Sequence, residues 1–218
     1  VIFDTKGQQI GAVAFPNMRI EEKPGFHEIN LNELWDAIAE AIHKVVKKAA
    51  IDVRDIVGVS CVGHGKGLYV LDKQNQIFTN GILSTDSRAV ESAEEFESQV
   101  SQIFSISHQH VMNSQSPVLL NWLKNNKKEL YSKIGVVLSA KDFVRSQLTG
   151  ETYQEYGDAS GNNLLNLETK EYDRRLFKFF DIEEMFDKMP PLKHYDELSG
   201  HVTTDAAKKT GLIEGTPV

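Results

Sequence analysis

Ile56-Val57-Gly58-Val59-Ser60-Cys61-Val62-Gly63-His64-Gly65-Lys66-Gly67-Leu68-Tyr69-Val70-Leu71-Asp72 joins an apolar run to a glycine turn and then to a second apolar run. The first run, ending at Val62, is continuous in Val and Ile character and bounded by turn residues. That composition predicts a strand covered on both faces. Leu68 to Leu71 predicts the next strand, and Gly81 to Ser84 a third, short one that ends on Thr85-Asp86-Ser87-Arg88. Strand, polar turn, strand, turn, strand and polar end within about thirty residues have the layout of one side of a small-molecule pocket.

The glycines at 63, 65 and 67 let the backbone turn sharply and leave room for a ligand to approach. Between them stand His64 and Lys66. A Lys is a three-donor point charge suited to hydroxyl or carboxylate oxygens, and a His can donate or accept. Two readings of the turn stand side by side: an exposed hairpin tip with solvated side chains, or a set of hydrogen-bonding groups for a polyol. A dinucleotide fingerprint does not fit, because the third glycine has the wrong offset and a strand follows instead of a helix. Asp86 reads either as a helix cap or as an acceptor for paired substrate hydroxyls, with Arg88 holding its carboxylate in a bidentate contact. Asp158-Ala159-Ser160-Gly161-Asn162 reads as a polar turn before a strand.

Outward from this segment the chain alternates strands with helices. Val1-Ile2-Phe3-Asp4 reads as the end of a strand, Thr5-Lys6-Gly7-Gln8 as a hairpin turn, and Ile10 to Phe15 as the returning strand. Asn30 and Glu33 form a capping-box pair ahead of apolar residues at Leu34, Ile38, Ala41, Ile42, Val45 and Ala49, which is helical spacing with one buried stripe. Further helices are expected at Ser87–Gln99, Pro117–Asn125, Lys141–Leu148, Arg174–Phe180 and Asp205–Thr210, with Gly150 and Gly211 as stops. Asn163 to Leu167 is strand-like. Antiparallel strands early and helices later predict an α/β protein with one mixed sheet in one compact domain. The absence of an initiator Met and the abrupt ends lead us to expect a fragment cut from a longer protein.

The 218 residues carry a formal net charge of −7 and one cysteine. A modestly acidic chain without a clustered basic face is not expected to bind nucleic acid. Cys61 allows no internal disulfide and no cysteine-based metal site, and it reads as an inert thiol in a reducing cytoplasm. No apolar stretch is long enough to cross a bilayer, so no membrane partner is expected. No metal site is expected either: His27 and Glu28 have no further ligand at metal spacing. His108 and His110 read as solvated loop residues, and Trp35 and Trp122 as core.

Several stretches, taken together and in order, resemble the FGGY carbohydrate kinases. Pro24-Gly25-Phe26-His27-Glu28 with Trp35 is similar to the Pro-Gly-Trp entrance of that family. The glycine turn and Ile82-Leu83-Ser84-Thr85-Asp86-Ser87-Arg88 resemble its substrate-binding segment. Leu138 to Arg145 with Leu148-Thr149-Gly150, Tyr156 to Gly161, and Gly211 to Val218 resemble its later motifs. The Gly65-Lys66 version of the turn looks closest to the L-xylulose (3-keto-L-gulonate) kinase branch. Xylulokinases carry a Met-His pair there and glycerol kinases an Arg-Glu pair. Glycerol kinases also place Trp where this chain has Ser84.

The resemblance implies a ribonuclease-H-like N-terminal domain of the actin/hexokinase superfamily, spanning 1–218, that works with a second domain. It implies ATP-dependent phosphorylation, with Mg²⁺, of a hydroxyl of a ketopentose or related keto-sugar or polyol. His64, Gly65, Lys66, Ser84, Asp86 and Arg88 would bind the sugar. The phosphate loop, the catalytic Asp and the adenine-binding half are expected outside these residues, so the fragment alone is expected to be inactive. An exposed sheet edge is expected to favour a homodimer. A catalytically silent sugar sensor on the same fold is the alternative reading. The polar turn argues against a chaperone- or actin-like ATPase, which has no sugar pocket to furnish.

Overall fold

The computed structural model describes residues 1–16 and 18–218. The strands are β1 (Ile2–Phe3), β2 (Gln9–Gly11), β3 (Glu28–Ile29), β4 (Tyr69–Asp72), β5 (Gly81–Ile82), β6 (Ile134–Leu138), β7 (Gln154–Glu155), β8 (Leu165–Asn166), β9 (Glu171–Tyr172) and β10 (Leu192–Lys193). The helices are α1 (Leu31–Ala49), α2 (Val90–Glu97), α3 (Phe104–Ser107), α4 (Ser116–Asn126), α5 (Lys128–Lys133), α6 (Ala140–Thr149), α7 (Tyr156–Ser160), α8 (Arg174–Phe179) and α9 (Thr204–Thr210).

β4 and β6 form the centre. They pair antiparallel, Tyr69 opposite Leu138 and Val70 opposite Val137, with an irregularity at Leu71/Asp72. Gly135 sits at that irregularity, where a Cβ would lie 2.3 Å from the Asp72 backbone, so only glycine fits. Side chains alternate along β4. Leu68 and Val70 enter a core with Leu119, Ile134, Phe177 and Phe180. Tyr69 and Leu71 enter another with Leu31, Leu138 and Phe143. This pair is therefore covered on both faces, and each fully buried Leu or Phe contributes about 1.5–3 kcal/mol. Ile134-Gly135-Val136-Val137-Leu138 carries the same apolar signal in sequence, although no strand was expected there.

The stretch Ile56 to Val62, in contrast, is not a strand. It runs without a ladder partner; its one such hydrogen bond among the described residues is Val59 N–H to the Pro217 carbonyl, 2.9 Å. Val57 is 80% exposed and Val62 94% exposed, while Val59 and Cys61 pack beside Trp35 and Leu148. Apolar character supplied the expectation, but a strand also requires a neighbour to hydrogen-bond, and none lies alongside. The expected single mixed sheet is for the same reason replaced by five two-stranded pairs: β1–β2, β3–β5, β4–β6 and β8–β9 antiparallel, and β7–β10 parallel.

The helices follow their local signals. Asn30 Oδ1 accepts from the Asn32 and Glu33 amides at 3.0 and 3.1 Å, the N-cap half of the expected box. α1 buries Leu31, Trp35, Ala39 and Val45, and α9 packs along it. α6 and α9 stop at Gly150 and Gly211, both in the left-handed region. The helix expected from Ser87 begins only at Val90, because Asp86 and Arg88 are engaged elsewhere. Tyr156–Ser160, expected as loop, is a short helical turn capped by Glu155, whose side chain accepts from the Gly157 and Asp158 amides. Trp122 is half-buried at the edge of the first core and not inside it. No helix among the described residues is long and apolar enough to cross a membrane.

Candidate functional site

The glycine turn is held from three sides. A Cβ on Gly63 would lie 2.9 Å from the Lys141 backbone nitrogen, so the turn enters pressed against the first turn of α6. Gly67 has φ +77°, and a Cβ there would lie 2.6 Å from the Ile82 carbonyl oxygen and 3.3 Å from the Ser84 nitrogen. The Gly67 amide also donates to the Ser114 carbonyl at 2.8 Å. Lys66 adopts φ +64°, a left-handed conformation that costs a non-glycine residue about 1 kcal/mol or more. The side chain of Lys66 is half-buried and makes no ion pair among the described residues.

His64 is fixed by Tyr69. Its Nε2 lies 2.8 Å from the Tyr69 hydroxyl, and its Nδ1 lies 3.3 Å from the Gly65 carbonyl oxygen. Burial raises the Tyr69 phenol well above its usual range, so the hydroxyl stays protonated. Ser84 is half-buried beside Gly67, and its hydroxyl has no partner among the described residues.

Asp86 and Arg88 are placed differently from the expectation of a carboxylate facing substrate. Asp86 is 1% exposed. It accepts from the His27 amide at 2.7 Å, the Arg88 amide at 2.8 Å, Arg88 Nε at 3.0 Å and Arg88 Nη2 at 2.9 Å. Arg88 Nη2 also donates to Glu28 Oε1 at 2.8 Å. Burial alone would lower the Arg88 guanidinium; Asp86 and Glu28 outweigh it and raise it. The expected bidentate contact is present. The lone pairs of Asp86 are used by the protein, and the pair locks the entrance loop 25–28 to the end of β5.

A carboxylate that does stand beside the turn is Asp158. A Cβ on Gly65 would lie 3.6 Å from its Oδ1, an ordinary contact. Beneath it lies a charged cluster that the sequence reading did not assemble. Lys141 Nζ contacts Glu155 Oε2 at 2.7 Å and Asp158 Oδ2 at 3.2 Å. Ser139 Oγ bridges Asp158 Oδ2, at 3.0 Å, and Asp142 Oδ2. Arg145 Nη2 donates to Asp142 Oδ1 at 2.8 Å. Burial pushes the fully enclosed Asp142 carboxyl up to about 6, against the pull of Ser139 and Arg145. Burial would also raise Glu155, but Lys141 and the Gly157 amide outweigh it and hold that carboxyl low. In sequence these residues are spread over two motifs nearly twenty residues apart, and only α6 and α7 bring them under the turn.

A cavity of about 690 Å³ lies beyond Gly63, lined by residues 58–63, Lys141, Arg145, Glu155 and the loop 194–199. His64, Lys66 and Ser84 do not line it and are half-buried. Cys61 borders this cavity, and burial pushes its thiol up to about 11, which keeps it protonated and unreactive. His108 and His110 are exposed, as expected for loop residues.

A buried β4–β6 centre, flanking helices, and a polar glycine turn over a charged floor make up an α/β domain, and its likeness to solved carbohydrate kinases gives it the actin/hexokinase-like fold. The chain belongs to the FGGY family of carbohydrate kinases, matching the profile of the family's N-terminal domain over residues 1–218. It is 34% identical over 220 residues to a probable L-xylulose kinase of Haemophilus influenzae, covering 100% of this chain and 45% of that protein. It is 32% identical over 219 residues to the L-xylulose/3-keto-L-gulonate kinase of Escherichia coli, covering 100% of this chain and 44% of that protein. Among solved structures, gluconate kinase from Lactobacillus acidophilus superposes with a TM-score of 0.89 at 24% identity, covering 99% of this chain and 43% of the other. The chain thus spans about half the length of the curated relatives it matches.

Proposed function

We propose that this chain is the sugar-binding half of an ATP-dependent kinase that phosphorylates a hydroxyl of a ketopentose or related keto-sugar or polyol. One observation carries the reading. In a member of this family, the turn at 63–67 holds an anchored imidazole at His64, a conformationally strained Lys66 with no ion pair among the described residues, and Gly65 beside Asp158. His64, Lys66 and Ser84 supply hydrogen bonds to sugar hydroxyls, and Gly65 leaves space for close approach. Asp86 and Arg88 hold the adjoining loop in place. These groups orient the substrate and do not transfer its proton.

ATP and Mg²⁺ enter this proposal from the family. The described residues offer neither a glycine-rich loop opening a helix nor a group of three His, Cys, Asp or Glu side chains that could hold a metal ion. They do not by themselves fit the nucleotide or its metal, and the residues singled out in this chain are assigned to the sugar. A small-molecule sugar as partner, a cytoplasmic setting and a homodimer belong to the same proposal.

The test is Lys66→Ala in the protein that contains this domain, assayed by coupled ATP turnover with ketopentoses, keto-sugar acids and polyols. The expected result is a raised sugar KM with ATP affinity unchanged. A sugar KM equal to wild type rejects the role of Lys66, and absence of sugar-dependent turnover across the panel rejects the activity.

A further inference from the structure

A second cleft, of about 440 Å³, lies away from the glycine turn; neither residues 63–67 nor Ser84 line it. We propose that this cleft binds a small aromatic carboxylate. Its walls are aromatic and cationic. The rings of Phe26 and Trp122 meet edge to face at 5.7 Å, and the Arg88 guanidinium stacks 4.5 Å from the Phe26 centroid and 5.3 Å from that of Trp122. Its floor is aliphatic, including the buried Leu68 and Ile82. A flat ring buries apolar area on such a floor and finds edge and face partners in such walls.

The charge of the ligand follows from the rim. The chain as a whole carries −7. Yet this cleft and the smaller cavity that adjoins it through Asn126, Lys127 and Leu130 are lined by five cations, Lys23, Arg88, Lys127, Lys128 and Lys133, against three carboxylates, Glu22, Glu28 and Glu129. Arg88 is committed to Asp86 and Glu28 through Nε and Nη2, but its Nη1 has no acceptor among the described residues. Lys23 and Lys127 form no ion pair among them either. A single negative charge on the ligand complements this rim. A neutral ring leaves the cations unmatched, and a polyhydroxyl body would be stranded on the aliphatic floor.

The cleft also touches the strand that carries the turn. Leu68 directly follows Gly67, and Leu68 and Ile82 exchange two backbone hydrogen bonds at 2.9 and 2.8 Å. An occupant therefore packs against the ribbon that positions Ser84 and the end of the turn.

The probe is benzoate, titrated into the ¹⁵N-labelled 218-residue chain. The chain has two tryptophans, so its two indole N–H signals separate the cleft from the core. The expected result is a saturable shift of the Trp122 signal, no shift of Trp35, and no saturable shift with neutral benzamide. Reversing the two rim charges, Lys23→Glu with Lys127→Glu, is expected to weaken benzoate binding about tenfold or more, about 1.4 kcal/mol. Both lysines are exposed, so the folded spectrum is retained. No saturable Trp122 shift, equal shifts with benzamide, or an unchanged affinity in the double variant each overturns the proposal.

Discussion

Arg88 and Asp86, two residues apart on one loop, close a bidentate ion pair that is almost wholly buried, with side chains 4% and 0% exposed. The same guanidinium reaches Glu28 on β3, just ahead of α1. Removing Arg88 leaves two carboxylates without their cation in a largely buried site. Arg88→Ala is expected to lower stability by about 3–5 kcal/mol in chemical denaturation. A change below about 1 kcal/mol would mean that the pair does not lock these loops.

The three glycines of the turn are not equivalent. At Gly67 a side chain meets the Ile82 carbonyl oxygen at 2.6 Å and the left-handed φ of +77° is strained for any other residue; at Gly63 it meets the α6 backbone at 2.9 Å. At Gly65 it meets Asp158 Oδ1 at a comfortable 3.6 Å. Gly67→Ala and Gly63→Ala are expected to destabilise by about 1–3 kcal/mol. Gly65→Ala is expected to leave stability within about 0.5 kcal/mol and to raise the sugar KM instead. Thermal and denaturant unfolding of the three variants, beside sugar KM, checks this ordering.

Asp142 gives stability an unusual dependence on pH. Its folded carboxyl titrates near 6 because burial disfavours the charge, while the unfolded one titrates near the ordinary 3.8. Between these values the folded state holds the proton and the unfolded state releases it. The contribution is therefore complete below about pH 4 and lost as pH rises through about 6. Two pKa units correspond to about 3 kcal/mol at most. Ser139, Arg145, Asp158 and Lys141 face or surround this carboxyl, and Glu155, held low, works in the opposite sense. Comparing Asp142→Asn with wild type isolates the one group. The amide mimics the protonated acid, so the variant is expected to gain relative stability as pH rises from about 4 to about 7. A difference that stays flat across that range counts against the assignment.

Val57 and Val62 stand largely in solvent on a segment whose backbone has one partner among the described residues, the Pro217 carbonyl. Exposed apolar side chains beside free backbone groups favour association with another chain. The 218-residue chain is expected to self-associate with increasing concentration, and Val57→Lys with Val62→Lys to suppress it, as read by sedimentation velocity. A monomer for both proteins at every concentration rules the idea out.

Much of the fold was legible because its signals are local. Asn30 caps α1, and Gly150 and Gly211 end their helices; of the apolar stripe expected on α1, Val45 is buried and Leu34, Ile38, Ala41, Ile42 and Ala49 are half-buried, while Leu31, Trp35 and Ala39 complete the buried face. The glycine turn was legible for the same reason: three glycines in five residues restrict what the backbone does whatever surrounds it.

What the sequence by itself determined is thus the turn with its His64 and Lys66, and the helices α1, α6 and α9. Only the tertiary structure decided which carboxylate stands beside that turn. Asp86 was the nearer candidate along the chain, but the Arg88 and His27 donors absorb it, and Asp158 arrives instead on α7, with Lys141 from α6 beneath it. Only the tertiary structure decided, too, that β4–β6 is the sheet buried on both faces and that Ile56 to Val62 lies open. Apolar composition sets how much a segment gains by burial. Which strand lies beside it, and whether its backbone finds partners, depends on residues far away in the chain.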